Sequence, residues 1–526
     1  MPSPSQNLAV RLLEGAARHG DKIALREGER SWTYAQLVDE VARVSDALRQ
    51  LKLARGERVA ILMRDTLEAA ASILGVIHAG AVAVPLSELV RPSDLRTYLA
   101  HCGAVIAVVD RDLEPALDQV RGEVAALREV LCVDPQAAGE RDFHAIVRAA
   151  DPTTPAAAVT DSDMCLLLYS AGAAPEELRG VPHTHATPLA AYQSFAREFL
   201  GLVAEDRVLS VTRLATAYGL GTGLLFPLAA GAESALVPEQ PRSDVLFAAV
   251  ERYKPTLFCA TPSVYGQLAR DVEDSGRPQP LAGLRAAVSG AEGMPDKLIP
   301  RIRAALGTEV TVGYGLTELF QFALGGVTGQ AWDGKPGTCG KPLPGIEARV
   351  VDDEGAAIGA DEIGTLQLRG APLFSGYWGG ALADDPFDAD GWFTTRDRFF
   401  VDAAGVFHHC GRVDDLFKVG GKWVSPVEVE RALTAHESVW ECAVIGADDE
   451  DGLIKPLAFV VPNVGTDPGP ALELELREYV KQVLAPYKYP RWIEFVPALP
   501  RGPGGKLLRY KLRSTRRRRA STAHDL

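Results

Sequence analysis

The sequence predicts a large α/β protein of more than one domain, and three observations carry that expectation. Apolar strand patterns alternate with amphipathic helix patterns from Leu8 onward, the mark of mostly parallel sheets with helices packed on them. Several of those strands run into small-residue turns, where open α/β sheets present ligands to exposed backbone N–H groups. A chain of 526 residues, 47% of them hydrophobic, is also too long for one compact core and has apolar residues enough for two.

Leu8–His19 reads as an amphipathic helix, Leu37–Leu51 as a second, and Arg58–Met63 as a short strand. Ala69–His78 reads as a helix leading into the strand Val82–Leu86, and the cycle repeats with Leu95–His101 and Val105–Asp110. Ala69 to Leu86 is the most apolar long stretch, but Ser72, Gly75, His78, Gly80 and Pro85 interrupt it, so no membrane span is expected. Met164–Leu168 is a strand feeding Tyr169–Val181, which stands where an ATP phosphate loop belongs. Beyond it lie His183-Thr-His185, a helical pattern from Pro188 to Leu200, and a glycine-dense turn, Thr212–Gly223, ahead of the apolar Leu224–Leu228. Val288–Glu292 and Val312–Glu318 are each a strand ending in a small-residue turn.

Charge and cysteine usage narrow the classes of function. A net charge of −14 and a pI near 5.3 argue against nucleic acid as a partner. The run Arg516–Arg519 is the exception, and reads either as a solvated tail or as a cationic patch for an acidic partner protein. Seven cysteines without a C-x-x-C pair or zinc spacing fit reduced thiols, and nothing beside Cys339 or Cys410 suggests an activated thiolate. The opening residues lack a basic stretch followed by an apolar one, so the expectation is a cytoplasmic protein without a secretion signal.

Four motifs then follow in order: Tyr314-Gly-Leu-Thr-Glu318, Gly391-Trp-Phe-Thr-Thr-Arg-Asp397, Gly411-Arg-Val-Asp-Asp415 with Val419–Pro426, and Leu499-Pro-Arg-Gly-Pro-Gly-Gly-Lys506. With Trp32–Leu37 near the start, they make the sequence resemble the adenylate-forming acyl-CoA synthetases. Ala217-Tyr-Gly-Leu-Gly221 and Tyr487–Phe495 resemble the benzoate- and anthranilate-CoA ligase branch of that family. The resemblance implies the adenylate-forming fold: a large N-terminal aryl- and nucleotide-binding domain of parallel and mixed sheets, residues 1–412, and a small mobile α+β lid, residues 413–526, hinged near Asp414.

It also implies two half-reactions on one site. An acid and ATP give an acyl-adenylate and pyrophosphate; a thiol then takes the acyl group and releases AMP, with the lid rotating in between. Asp397 would hold the ribose diol, Arg412 and Tyr314 would add nucleotide contacts, and Arg179 would stand at the end of the phosphate loop. Thr317 would bind the α-phosphate, and Glu318 would bind Mg²⁺ if ATP is used. Lys506 would stabilise charge where the carboxylate attacks phosphorus. Gly420 and Gly421 would admit the pantetheine arm of CoA or of a carrier protein. The aryl pocket would draw on Tyr218, Phe226, Ala291, Gly313, Gly315, Leu316 and Gln321, the last standing where benzoate ligases carry a histidine.

The phosphate loop departs from the family pattern. Ala171, Ala173 and Ala174 replace hydroxyl residues, Pro175 replaces a glycine and removes an N–H, Glu176 and Glu177 add charge of the wrong sign, and Arg179 replaces a lysine. Arg396 stands where the Thr-Gly-Asp motif has glycine. Each lost hydrogen bond to a charged group costs about 1.5–3 kcal/mol. The expectation drawn from these losses is transfer of a benzoyl- or anthraniloyl-like group from CoA to an acidic acyl carrier protein, without ATP, in secondary metabolism. The alternative is ATP-dependent aryl-CoA ligation, and a third reading, a binding protein without activity, fits the retained Thr317, Glu318, Asp397 and Lys506 least well. In each active case the cofactor is a CoA or phosphopantetheine thioester, with ATP and Mg²⁺ added only for ligation, and neither nucleic acid nor membrane is a partner.

Overall fold

The computed structural model describes residues 2–15, 19–135, 141–170, 178–327, 338–380, 385–413, 415–420, 422–449, 452–501, 507–509 and 511–513. Two sheets make up the large part of the molecule. One has seven strands, of which Arg58–Leu62, Val82–Leu86, Ala104–Asp110 and Glu129–Val133 run parallel. The other has thirteen, with a parallel run through Val310–Gly315, Ala286–Ser289, Leu257–Ala260, Arg207–Ser210 and Glu233–Leu236 that becomes antiparallel beyond Val310–Gly315. This bears out the expected α/β class and its mixed sheets.

Local chemistry explains the helices between the sheets. Tyr34–Gln50 begins with a capping box, in which Thr33 and Gln36 satisfy each other's backbone N–H groups. Leu67–His78 is capped by Thr66 and is buried over every residue but His78, which suits an apolar helix with other elements packed all round it. Among the described residues no helix is long and apolar enough to cross a membrane.

Two expectations need correction and a third needs refining. The helix read over Leu8–His19 is Leu8–Leu13, and residues 16–18 lie outside the described residues. The helix read from Pro188 to Leu200 is borne out over Thr187–Phe199, α-helical through Ala191 and wound more widely, as a π-helix, over Tyr192–Phe199. Thr212–Gly223 is no simple turn either, because its second half forms the helix Ala217–Leu220, which continues through Gly221–Leu225 into Phe226–Ala230. Its glycines serve close approach instead: a Cβ on Gly219 would stand 2.1 Å from the carbonyl oxygen of Arg213 and 2.4 Å from that of Thr212.

The large sheet's strand Phe407–Arg412 is followed by a separate small α+β unit. It holds the hairpin Phe417–Val419 with Lys422–Val424, a three-stranded sheet of Val439–Asp448, Ile454–Pro462 and Trp492–Phe495, and the helices Pro426–Ala435 and Pro470–Val483. Val429, Leu433, Val444, Val460, Leu476 and Val480 give it a core of its own.

Candidate active site

Register places the site. The strand Phe393–Val401 pairs antiparallel with Phe407–Arg412, so Asp397 lies directly across from Arg412 although fifteen residues separate them in sequence. Tyr314, near the end of Val310–Gly315, donates its hydroxyl to Asp397 Oδ2 at 2.8 Å, and His409 Nε2 stands 3.2 Å from Oδ1. Burial alone would push the Asp397 carboxyl up; His409, Arg412 and the Tyr314 hydroxyl outweigh it and hold the group below the ordinary carboxylate range. Asp397 is therefore an anion at neutral pH. A carboxylate has about four acceptor positions. Tyr314 and His409 use one on each oxygen, which leaves one on each oxygen for a vicinal pair of hydroxyls.

Thr317 and Glu318 form a tight turn after Val310–Gly315, closed by Phe320 in the left-handed region at φ 64°. His183 fixes that turn from the neighbouring sheet, with Nε2 2.9 Å from the Thr317 carbonyl and Nδ1 3.3 Å from the Thr187 hydroxyl. Burial lowers the His183 pKa to about 4, so the ring is neutral and can donate at one nitrogen while it accepts at the other. Glu318 is buried, and its Oε1 accepts the Tyr377 hydroxyl at 2.7 Å. The Arg179 guanidinium stands 5.6 Å over the same Tyr377 ring, so the last cation of the loop and the acidic residue of the turn meet on one tyrosine.

The strand Met164–Tyr169 pairs antiparallel with Gly180–Thr184, which brings Tyr169 opposite Gly180 at the two ends of the stretch. Ala171, Ala173, Ala174, Pro175, Glu176 and Glu177 lie outside the described residues, as do Asp414, Gly421 and Lys506. Gly420 has φ 56° in the turn between Phe417–Val419 and Lys422–Val424 and has open space around it. Arg396 precedes Asp397 on the strand, and its carbonyl accepts the Val413 N–H at 2.8 Å.

The aryl set divides in two. Tyr218, Phe226, Gly313 and Gln321 are buried, whereas Ala291 and Gly315 are exposed and Leu316 is half-buried. The inner group packs around Phe322, which sequence reasoning missed. Its ring stacks on Tyr218 with centroids 5.4 Å apart, and a Cβ on Gly313 would stand 2.1 Å from it. The Tyr218 hydroxyl donates to the Val288 carbonyl at 3.1 Å, which turns the ring's apolar face toward Phe322. His409 and Tyr377 were missed as well: His409 lies three residues before Arg412 on the same strand, and Tyr377 stands in the loop after Gly364–Gly370, where no local pattern marks it.

The small unit contacts this region through several cations. Arg501 reaches Glu292 at 3.9 Å and Glu441 at 2.6 Å, Arg270 stacks 3.4 Å over Trp440, Arg431 pairs with Asp296, and Lys297 donates to the Val439 carbonyl. Asp415 pairs with Arg513 at 2.7 Å and lies 3.7 Å from Arg509. Burial pushes the Cys339 and Cys410 thiols up to about 12, so neither is a thiolate nucleophile at neutral pH. Among the described residues no group of three or more His, Cys, Asp or Glu could hold a metal ion.

The family model for AMP-binding enzymes matches residues 12–378, and that for the AMP-binding enzyme C-terminal domain matches residues 428–506. A benzoate–CoA ligase from Thauera aromatica is 37% identical over 95% of this chain and 93% of its own. The crystal structure of the anthranilate CoA ligase AuaEII with anthranoyl-AMP superposes with a TM-score of 0.89, at 35% identity and 97% coverage of both chains. A benzoate CoA ligase from Burkholderia xenovorans LB400 gives a TM-score of 0.88 at 33% identity, covering 96% of this chain and 99% of its own. With the Asp397 and Glu318 clusters on one sheet edge and a small C-terminal unit against it, the chain belongs to the adenylate-forming AMP-binding enzymes, in their benzoate, hydroxybenzoate and anthranilate–CoA ligase branch.

Proposed function

We propose that this protein is an ATP-dependent aryl acid–CoA ligase, converting an aryl acid, ATP and CoA to aryl-CoA, AMP and pyrophosphate. The observation that carries the reading is the Asp397 cluster: a buried carboxylate held ionised, with one acceptor position open on each oxygen, suits the cis-diol of a nucleotide ribose. A pure thiol-to-thiol transferase has no use for such a group. This reverses the order expected from the loop letters, because the similar ligases activate acids and one of them holds an acyl-adenylate.

In this reading Asp397, Tyr314 and Arg412 bind the nucleoside, and Thr317 with Arg179 faces the phosphates. Glu318 fits Mg²⁺ as a hard, anionic oxygen ligand, one carboxylate that would share the ion with substrate phosphates. When bound, the ion would neutralise charge on the phosphates. Lys506 would enter from the lid to stabilise the pentavalent phosphorus, and Gly420 with Gly421 would later line the path of the CoA thiol, the lid turning about Asp414. Tyr218, Phe226 and Phe322 form the walls for the aryl ring.

Aryl transfer from CoA to a carrier protein remains the second reading, on the specific ground that Ala171, Ala173, Ala174 and Pro175 remove phosphate donors. Exchange of labelled pyrophosphate into ATP tests adenylation by itself. Exchange that depends on an aryl acid, and is abolished by Lys506→Ala, is the expected result; no exchange with any aryl acid would overturn the proposal.

A further inference from the structure

Arg213 stands where loops from both large sheets meet. It follows the strand Arg207–Ser210 of the thirteen-stranded sheet, and its guanidinium donates to the Val237 carbonyl at 2.9 Å and the Glu239 carbonyl at 3.0 Å, just beyond Glu233–Leu236. It also lies 3.4 Å from Asp65 and 2.9 Å from Glu88, which follow Arg58–Leu62 and Val82–Leu86 of the seven-stranded sheet. The side chains of Arg213, Asp65 and Glu88 are 14%, 8% and 4% exposed, so the cluster is closed off from water. Burial pushes the Asp65 carboxyl up to about 6, while Arg213 and the Leu214 N–H hold it from rising further, and it is ionised at neutral pH.

Two buried carboxylates on one guanidinium are a poor device for stability alone, because packed apolar side chains often serve as well at such a place. What this cluster does is fix a stretch of backbone. Asp65 Oδ1 accepts the Leu214 N–H at 3.0 Å, and the Arg213 carbonyl accepts the Thr216 N–H at 3.0 Å and the Thr216 hydroxyl at 2.9 Å. The Thr216 hydroxyl oxygen in turn caps Ala217–Leu220 by accepting the Gly219 N–H at 3.1 Å. No slack is left between turn and helix, since a Cβ on Gly219 would stand 2.1 Å from the Arg213 carbonyl oxygen. Tyr218, on that helix, is thereby set against Phe322 with ring centroids 5.4 Å apart.

Resting on the ligase reading above, in which Tyr218 walls the aryl site, we propose that Asp65 and Glu88 act through Arg213 as positioning residues for aryl-acid binding. A shift of the Arg213 backbone moves Thr216, the helix it caps and the Tyr218 ring together. The Asp397 cluster hangs on other strands, Phe393–Val401 and Phe407–Arg412, so the nucleotide contacts are spared.

The test measures KM for the aryl acid, KM for ATP and kcat by pyrophosphate exchange with benzoate and with anthranilate, using the full chain, alongside urea unfolding. Asp65→Asn and Glu88→Gln keep size and an acceptor oxygen but remove the charge; Arg213→Lys keeps the charge but cannot reach Asp65, Glu88 and two carbonyls at once. Each variant is expected to raise KM for the aryl acid by about 3- to 30-fold, Arg213→Lys the most, and to leave KM for ATP within about twofold. An unchanged KM for the acid overturns the proposal, and so does an equal rise in both KM values or a fall in kcat alone, the mark of less folded enzyme. If all three variants fail to fold, the cluster serves stability only and the proposal falls. If the wild-type protein exchanges no pyrophosphate with either acid, the ligase reading falls, and calorimetric binding of the same two acids decides the positioning role. Weaker binding in the variants then upholds it; equal binding, or none in the wild type, overturns it.

Discussion

His409→Phe isolates one contact of the nucleotide cluster. The histidine ring packs against Phe399 with centroids 5.1 Å apart and against Tyr314 at 5.9 Å, contacts that phenylalanine can keep. What disappears is the hydrogen bond from Nε2 to Asp397 Oδ1 at 3.2 Å. A hydrogen bond to a charged group is worth about 1.5–3 kcal/mol, which at about 1.4 kcal/mol per decade is a factor of about 10 to 150. The lower end applies, because the His409 side chain is 26% exposed and water can partly replace it. Freed of this contact, Asp397 loses its fixed orientation toward the ribose. KM for ATP should therefore rise about tenfold, with kcat little changed, since the contact serves ground state and transition state alike. Steady-state kinetics at saturating aryl acid and CoA provide the assay. An ATP KM within about twofold of wild type, in a variant whose unfolding curve is unaltered, would refute the reasoning.

Three further outcomes follow from the same geometry. Tyr377→Phe removes the hydroxyl 2.7 Å from Glu318 Oε1 and should raise the Mg²⁺ concentration for half-maximal rate by about tenfold; a Mg²⁺ titration at fixed ATP that superposes on wild type would contradict Glu318 as the metal ligand. Gly313→Ala puts a methyl group 2.1 Å from the Phe322 ring, so the ring must leave its stack on Tyr218; this should cost about 1–3 kcal/mol of stability by urea unfolding and raise KM for the aryl acid, and no change in either would remove Phe322 from the pocket. Stability should also fall between pH 7 and pH 5. His183 and His185 are fully buried with pKa values lowered to about 4, so the unfolded chain takes up their protons first as pH drops through 6.5. That removes about 2 kcal/mol each at pH 5, against which Asp65, raised to about 6 by burial, returns about 1 kcal/mol. A urea midpoint constant over this range would contradict the neutral, buried state of these histidines.

The α/β class was readable because its signals are local. Alternating periodicities marked helices such as Leu67–His78 and strands such as Ala104–Asp110, and each motif announced its own residues. The meeting of those motifs was not readable. Asp397 and Arg412 come opposite each other through strand register, and register between distant segments is set by packing of the whole sheet. His409, three residues before Arg412, reaches Asp397 by the same register, and no local pattern marks it. Nothing in the sequence sets Phe322 apart from a core phenylalanine; its packing against Gly313 and Tyr218 does. The glycines of Thr212–Gly223 misled for a related reason. Glycine permits a turn and a close approach equally, and only the carbonyls of Thr212 and Arg213 show which one is used here.

The loop letters pointed to transfer because they count side-chain donors lost, whereas the similar proteins are ligases. Phosphate binding also draws on backbone N–H groups and on cations, and Arg179 stands over the Tyr377 ring, whose hydroxyl donates to Glu318.

The central claim, that this scaffold activates an aryl acid with ATP, is tested most directly by product stoichiometry. The purified protein is incubated with a hydroxy- or aminobenzoate, ATP and CoA, and in parallel with the matching aryl-CoA and a phosphopantetheinylated carrier protein without ATP. One AMP and one pyrophosphate per aryl-CoA in the first mixture, with no transfer in the second, is the predicted result. Aryl-carrier formation in the second mixture, with no AMP in the first, would contradict it.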